Sequence, residues 1–232
     1  MIVIEDIIHF DNNYIRSFAA AEERANGVLF HNRTNPVSHD SNHALILSLD
    51  NNLEVAIDDV CAFYRGMGIT PRIYHGFVPG AREVLLPRLL ARGFRMEEFD
   101  EWYFVRSADS VIEPVADFEV RRVRSMDPAI RGLFKDDYPL LIGYVADFPV
   151  TVAALDIGRK VARVDDVMTH PDHRRKGYAR ALMHGLVNYH RWVSSTALYL
   201  YSGIPSAVRI YEEAGFWELA WKPFKWSAWL EQ

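Results

Sequence analysis

The sequence contains very little cysteine and no stretch that resembles a membrane anchor. Its single cysteine, Cys61, cannot form a disulfide within the chain and lies in a helix-like segment. No apolar run reaches the roughly 18 residues that are needed to span a bilayer. The first ten residues, MIVIEDIIHF, include Glu5 and Asp6 and do not match a secretion signal. We therefore expect a cytoplasmic protein with no membrane partner.

An excess of positive charge is also absent. The 232 residues carry 26 Lys and Arg against 31 Asp and Glu, which gives a net charge of -5. Since a general nucleic-acid binder is usually basic, we expect no nucleic-acid partner. His170 and His173 form a His-x-x-His motif, but no nearby Cys or well-spaced acidic residue completes a zinc site, so no metal is expected. Hydrophobic residues make up 50% of the chain, which is typical of a packed globular protein.

The hydrophobic patterns predict two similar series of elements, separated near the small and acidic segment 107–118. In each series a strand, a long helix, a strand and a shorter helix ending in Gly-Phe precede an aromatic-rich strand. The two helix endings, LLARGF and YEEAGF, align on Gly93 and Gly215. We predict two α/β (α+β) halves, residues 1–110 and 117–232.

The same patterns predict the individual elements. In the first half we expect strand 43–49 and helix 53–66, and in the second half strand 162–169 and helix 177–192. Further expectations are helices over 11–26 and 127–138, a strand or hairpin arm over 94–105, strand 197–202, helix 205–215 and a closing strand pair over 216–230.

The most informative segment is VMTHPDHRRKGYARAL, residues 167–182. Arg174, Arg175 and Lys176 directly precede Gly177 and the predicted helix, where the helix dipole disfavours positive charge. A turn from strand to helix leaves several backbone N–H groups without internal partners, and such groups bind anions. A bound phosphate would therefore explain the cations, and a solvated basic loop is the alternative.

The pattern Arg174-x-x-Gly177-x-Ala179, set between a strand and a helix, resembles the pyrophosphate loop of the GNAT N-acetyltransferase family, which binds acetyl-CoA. The segments VMTHP before the loop and AVRIYEEAGF (207–216) after it occur in the family's order. The resemblance covers residues from about 119 to 226. It implies a mixed, mostly antiparallel central sheet flanked by helices, and the chain as a whole would be two tandem GNAT-like halves.

Carried over by position, the resemblance implies that one continuous stretch binds the cosubstrate, acetyl-CoA. The backbone of Val167 and Thr169, on either side of Met168, would pair with the pantetheine arm like an added strand. The pyrophosphate would be held by the loop and the first helical turn, which comprise Arg174, Arg175, Lys176, Gly177, Tyr178, Ala179 and Arg180. The acceptor would be a primary amine of a small molecule or peptide.

Direct attack of an amine on a thioester in a ternary complex needs a proton donor and a proton acceptor. Tyr211 falls where the family has a tyrosine close to the CoA sulfur and is the candidate general acid, with a core aromatic as the alternative. Arg163 stands where many family members carry a Glu. Asp165 lies on the same strand face and is the tentative base. For Asp165 and Asp166 three roles stay open, namely base, substrate-binding carboxylate and strand-end charge.

Other features qualify the resemblance. Ile204 replaces an Asn that often precedes the last helix, and Ser202 or Ser206 could take over its contact. In the first half, the strand ALILSL reaches its helix through DNN alone and Leu89 stands at the position of Tyr211, so we predict no cofactor there. The alternatives to an enzyme are a non-catalytic acyl-CoA-binding or regulatory module and an interaction domain. In the latter, the aromatic C-terminal strands would contact a partner such as a second copy.

Overall fold

The computed structural model describes residues 4–49, 52–106, 118–123 and 140–231. Its α-helices are α1 (Ile4–Asn13), α2 (Leu53–Gly66), α3 (Ala81–Val84), α4 (Leu86–Ala91), α5 (Tyr178–Val193) and α6 (Pro205–Glu213). Its strands are β1 (Ala20–Arg24), β2 (Gly27–His31), β3 (His43–Ile46), β4 (Arg72–Tyr74), β5 (Arg95–Phe99), β6 (Trp102–Arg106), β7 (Glu119–Val123), β8 (Leu140–Val145), β9 (Phe148–Ile157), β10 (Val161–Thr169), β11 (Ala197–Ser202), β12 (Trp217–Glu218) and β13 (Lys225–Trp229).

The chain forms two compact units that are not continuous in sequence. The N-terminal unit comprises Ile8–Asp100 and Pro223–Gln232, and the C-terminal unit comprises Met1–Ile7 and Glu101–Lys222. The sequence predicts the continuous segments 1–110 and 117–232 instead. The difference arises because β6 and β13 each pair within the sheet of the other half.

The N-terminal unit is built on a six-stranded mixed sheet. Its strand order is β1-β2-β3-β4-β13-β5, in which β3 and β4 are parallel and all other neighbours are antiparallel. Helix α2 buries Leu53, Ile57, Val60 and Tyr64, which recur every three or four residues and therefore share one face. The Tyr64 hydroxyl donates a hydrogen bond to the carbonyl of Phe30 over 2.7 Å, so this buried polar group is satisfied.

The C-terminal unit is built on a seven-stranded mixed sheet. Its order is β12-β6-β11-β10-β9-β8-β7, with β10 and β11 parallel and the other neighbours antiparallel. The core lies between one face of this sheet and α5, whose buried residues are Ala181, Leu182, Met183, Leu186, Val187 and His190. Gly185 faces β7 so closely that a Cβ atom there would lie 2.4 Å from the Val120 side chain.

The two sheets repeat one topology. In each, antiparallel strands lead into a parallel pair: β1 and β2 precede the pair β3–β4, and β7, β8 and β9 precede the pair β10–β11. The first strand of each parallel pair is followed by the longest helix of its unit. The last strand of each series is exchanged: β6 pairs with β11 and β12, and β13 pairs with β4 and β5. Gly93 and Gly215, with φ of 84° and 82°, follow the equivalent helices α4 and α6.

The structure confirms the predicted fold class, two mixed sheets flanked by helices, and most elements of the second half. The helix predicted over 11–26 is wrong, because α1 ends at Asn13 and Ala20–Arg24 is a strand paired with β2. Tertiary pairing here overrides the helix propensity of Ala and Glu. The strand or hairpin arm predicted over 94–105 is divided into β5 and β6, and the closing strands predicted over 216–230 are observed as β12 and β13. In both cases the two strands belong to different sheets. The helix predicted over 127–138 lies outside the described residues.

Over the described ranges, no helix combines the length and apolar character that crossing a bilayer requires.

Candidate active site

The parallel strands β10 and β11 separate at their carboxyl ends. They pair at Val161–Ala197, Ala162–Leu198 and Arg163–Tyr199. Beyond Arg163, no further pairing between the two strands occurs in the described part of the sheet, although β10 continues to Thr169. A β-bulge between Asp165 and Met168 interrupts the pairing of β10 with β9 and bends the strand. A gap therefore opens between the carboxyl ends of β10 and β11. In sheets with parallel strands, ligands commonly bind at the carboxyl ends of those strands.

One backbone edge of β10 faces this gap. The N–H of His170 donates to the carbonyl of Val150 over 2.9 Å, so His170 and, two residues earlier, Met168 turn their backbone groups towards β9. Because these groups alternate along a strand, the N–H and C=O of Val167 and Thr169 point away from β9, into the gap. This is the orientation that an added strand or a pantetheine arm requires.

The loop after β10 presents backbone N–H groups at the start of α5. Arg175 and Gly177 have φ of 59° and 85°, and Gly177 precedes the helix without a side-chain cap. The first helical bond runs from the N–H of Ala181 to the carbonyl of Gly177 over 3.0 Å. Within the described part of the chain, no backbone carbonyl accepts from the N–H groups of residues 175–180. Consecutive N–H groups of this kind form an anion-binding concavity.

The cations of the loop are exposed and lightly constrained. The Nε of Arg174 donates to the carbonyl of Thr169 over 3.2 Å, and the Nζ of Lys176 donates to the carbonyl of Asp172 over 3.0 Å. Arg180 forms an ion pair with Glu213 of α6 over 2.5 Å. A Cβ atom at Gly177 would meet no atom within 4 Å, so the glycine is needed for its left-handed backbone and not for lack of space.

Tyr211 lies on the buried face of α6, where only 7% of its surface is exposed. Its ring packs against Phe104 and Phe216, with centroids 6.1 and 6.4 Å away. Burial raises the pKa of the Tyr211 phenol, the negative charge of Asp165 raises it further, and a hydrogen bond with the Ser202 side chain opposes the shift. The phenol is therefore held in its protonated form, so the core packing of the ring and a donor role of the hydroxyl coexist.

Three charged residues lie together on the sheet face that points away from α5. The Nη2 of Arg163 contacts Oδ2 of Asp165 at 2.6 Å, and the N–H of Asp166 donates to Oδ1 of Asp165 over 3.0 Å. Asp156 pairs with Arg163 across β9 and β10. Burial raises the pKa of Asp156, Arg163 opposes the shift and Asp165 adds to it. No local sequence pattern marks Asp156, because only the strand register brings it beside Arg163.

The other candidate residues near the gap differ in their exposure to solvent. Asp166 is exposed on the bulge with φ of 51°, which distinguishes it from Asp165. Ser202 is buried and its Oγ accepts from the N–H of Ile204 over 3.2 Å. Ser206 is exposed, so of the two serines Ser202 is the one that reaches Tyr211.

His170 and His173 belong to an aromatic cluster beside the loop. Their rings lie 5.5 Å apart, and the ring of Phe148 stacks on His173 at 5.3 Å. The Nδ1 of His170 accepts from the N–H of Asp172 over 3.3 Å, which uses that nitrogen to cap a short 3₁₀ turn. In the ranges that the structure describes, no group of three or more His, Cys, Asp or Glu is arranged to hold a metal.

In the equivalent region of the N-terminal unit, one side chain lies close to the backbone that follows the parallel strands. A Cβ atom at Gly76, just after β4, would lie 2.6 Å from Cδ2 of Leu47, just after β3. Leu89, at the position equivalent to Tyr211, is fully buried. The absence of a cofactor in this half stays a prediction.

Comparison with known proteins identifies the family. The model of the acetyltransferase (GNAT) domain matches residues 88–220, which is more than half of the chain. The chain therefore belongs to the GNAT acetyltransferase family, and the resemblance of its second half is confirmed. No curated protein matches the chain.

Solved structures with the same fold span the whole chain. A GCN5-related N-acetyltransferase from Kribbella flavida is 16% identical, with 100% of this chain and 97% of that chain covered and a TM-score of 0.73. A conserved protein of unknown function from Staphylococcus epidermidis is 16% identical, with 100% and 98% covered and a TM-score of 0.66. A GCN5-related N-acetyltransferase-like protein from Streptococcus suis is 10% identical, with 97% and 98% covered and a TM-score of 0.54. These likenesses establish a shared fold over both halves.

Proposed function

We propose that the protein transfers an acetyl group from acetyl-CoA to a primary amine of a small molecule or peptide, by direct attack in a ternary complex. The observation that carries this proposal is the gap between β10 and β11, which opens beside the unpaired N–H groups of residues 175–180. The gap is the right place for an extended arm that ends in a thioester, and the N–H groups suit a pyrophosphate.

In this proposal β10 and the loop that follows it bind different parts of acetyl-CoA. Val167 and Thr169 offer backbone N–H and C=O groups to the pantetheine arm. The N–H groups of residues 175–180 and the side chains of Arg174, Arg175 and Lys176 neutralise the pyrophosphate. This arrangement orients the thioester towards the carboxyl end of β10, where the bulge lies.

The chemical step uses two groups on opposite sides of the gap. The amine nitrogen attacks the thioester carbonyl carbon, and a strand N–H stabilises the oxyanion that forms. As the C–S bond breaks, the Tyr211 hydroxyl donates a proton to the departing thiolate, and the Asp165 carboxylate accepts a proton from the amine, directly or through water. The Tyr211 phenol is protonated at neutral pH and so can donate, while its raised pKa makes it a weaker acid than an exposed tyrosine.

A second function, a non-catalytic acyl-CoA-binding module, is favoured by one observation. Both carboxylate oxygens of Asp165 already have partners, Arg163 and the N–H of Asp166, which limits its strength as a base. Thiol release from acetyl-CoA in the presence of an amine library separates the two functions. Release that depends on an amine supports the enzyme, and binding of acetyl-CoA without release supports the module.

The anion site is tested by substitutions at Gly177. Acetyl-CoA at about 100 times its Kd should raise the melting temperature of the protein by about 5–10 °C, since a ligand that binds only the folded state stabilises it. Gly177→Asp should abolish this shift because a carboxylate would enter the anion site. Gly177→Asn should retain most of it, since Asn tolerates the left-handed backbone and adds no charge.

Gly80 provides a matched control in the other unit. It precedes α3 with φ of 79°, close to the 85° of Gly177, and an added Cβ would have its nearest neighbour at 3.7 Å. Gly80→Asp should therefore cause similar backbone strain and leave the acetyl-CoA shift intact. If acetyl-CoA raised the melting temperature of Gly177→Asp as much as that of the wild type, the assignment of the loop as the pyrophosphate site would be wrong.

A further inference from the structure

Arg163 is a buried cation directly below the gap. Its side chain is 2% exposed, and it occupies the β10 position at which the resemblance leads one to expect a Glu. Its guanidinium contacts Asp165 at 2.6 Å and lies 5.9 Å from the ring centroid of Tyr201 on β11. A charge that is buried this completely is costly unless it is paired, so its partners define what it does.

Two carboxylates share this one guanidinium. Asp165 is in direct contact, and Asp156 faces it from β9 through the strand register. When all three groups are ionised their net charge is -1, so the one guanidinium neutralises only one of the two carboxylates. The side chain of Asp165 is 29% exposed, and it is the member of the cluster that also acts electrostatically on the Tyr211 hydroxyl.

We propose that Arg163 is a positioning residue that holds the Asp165 carboxylate at the open end of the gap, where it receives the proton of the acceptor amine, and that Asp156 adds a second carboxylate beside the same guanidinium. This inference rests on the proposed transferase function. An ionised carboxylate offers about four lone-pair sites, so Asp165 can still accept a proton after bonding to Arg163 and to the N–H of Asp166. The proton-accepting group thus lies two residues further along β10 than the Glu of the family pattern.

The charges around Asp165 predict pH effects of opposite sign. The groups that face it are Arg163 on its own strand, Asp156 on β9, Tyr211 on α6 and the N–H of Asp166 in the bulge. Loss of the guanidinium disfavours ionised carboxylates, so the acidic limb of the pH–rate profile should move to higher pH. Loss of the Asp156 charge removes a repulsion, so the limb should move to lower pH.

The experiment compares Arg163→Met, Arg163→Lys and Asp156→Asn in kcat/KM measured against pH. We expect Arg163→Met to lower kcat by about 10- to 100-fold and to raise the limb by about one pH unit or more. Acetyl-CoA affinity should not change. Arg163→Lys should restore much of the activity, and Asp156→Asn should lower the limb. Arg106, a buried arginine of the same sheet that donates to the carbonyl of Ala214 over 2.8 Å, is the control, and Arg106→Lys should leave the limb in place.

A second readout is independent of catalysis. NMR titration of the Asp156 carboxyl carbon should show its pKa rise in Arg163→Met, stay close to the wild-type value in Arg163→Lys, which keeps the charge, and fall in Asp165→Asn, because Arg163 lowers and Asp165 raises the pKa of Asp156. If wild-type protein binds no acetyl-CoA, the transferase function fails while this titration still tests the cluster. An unmoved limb in folded Arg163→Met, or shifts of the same sign in Arg163→Met and Asp156→Asn, would overturn the positioning role. Should Arg163→Met not fold, Arg163→Lys and Asp156→Asn decide the matter.

Discussion

Replacing Tyr211 by phenylalanine removes one hydroxyl from the site and leaves the ring in place. The ring contacts with Phe104 and Phe216 should survive, since phenylalanine has the same shape. The hydrogen bond between the hydroxyl and Ser202 is lost, which should cost about 1 kcal/mol of stability. If the hydroxyl protonates the departing thiolate, turnover should fall about 100-fold, equivalent to about 2.7 kcal/mol in the activation barrier.

The assay measures acetyl-CoA affinity, thiol release with a fixed amine, and urea unfolding for the same preparation. Acetyl-CoA affinity should change little, because no contact with the pyrophosphate or pantetheine is removed. Tyr64→Phe is the matched control, since it deletes another buried hydroxyl, one that donates to the carbonyl of Phe30 over 2.7 Å in the N-terminal unit. It should lower stability by a similar amount and leave turnover intact. Full turnover in Tyr211→Phe would remove this residue from the mechanism.

Two further predictions concern stability. Burial, and secondarily Arg106, lowers the pKa of His190 to about 4, so the unfolded chain binds more protons than the folded one below pH about 6.5. Stability should therefore fall by up to about 3 kcal/mol between pH 7 and pH 4. In urea unfolding, His190→Leu should lose less stability than the wild type over this pH range. An equal loss in the two proteins would contradict the prediction. Gly185→Ala forces a Cβ to within 2.4 Å of Val120 and should destabilise the protein by about 1–3 kcal/mol in the same assay, whereas unchanged stability would show that α5 and β7 can separate freely.

Several features of this protein follow from the sequence alone. The sequence predicts helix α2 over 53–66, as observed at Leu53–Gly66, because its apolar residues recur at helical spacing, Gly66 ends the pattern and Gly68 follows. The loop at 174–180 was predicted from the order of strand, cations, glycine and helix. These signals are local: the periodicity of a helix and the conformational needs of a turn are set by residues within a few positions of one another.

Other features depend on contacts between segments that are distant in sequence, and only the tertiary structure determines them. Ala20–Arg24 is a strand only because β2 pairs with it. Strands β6 and β13 each occupy an inner position of the other half's sheet, where both of their edges form hydrogen bonds with neighbouring strands. The position of Asp156 likewise follows from the strand register, which sets it opposite Arg163 in the sheet although the two are seven residues apart in the chain. Strand pairing and the electrostatics of buried groups depend on which segments meet, and that is settled by the free energy of the whole fold rather than by any local pattern.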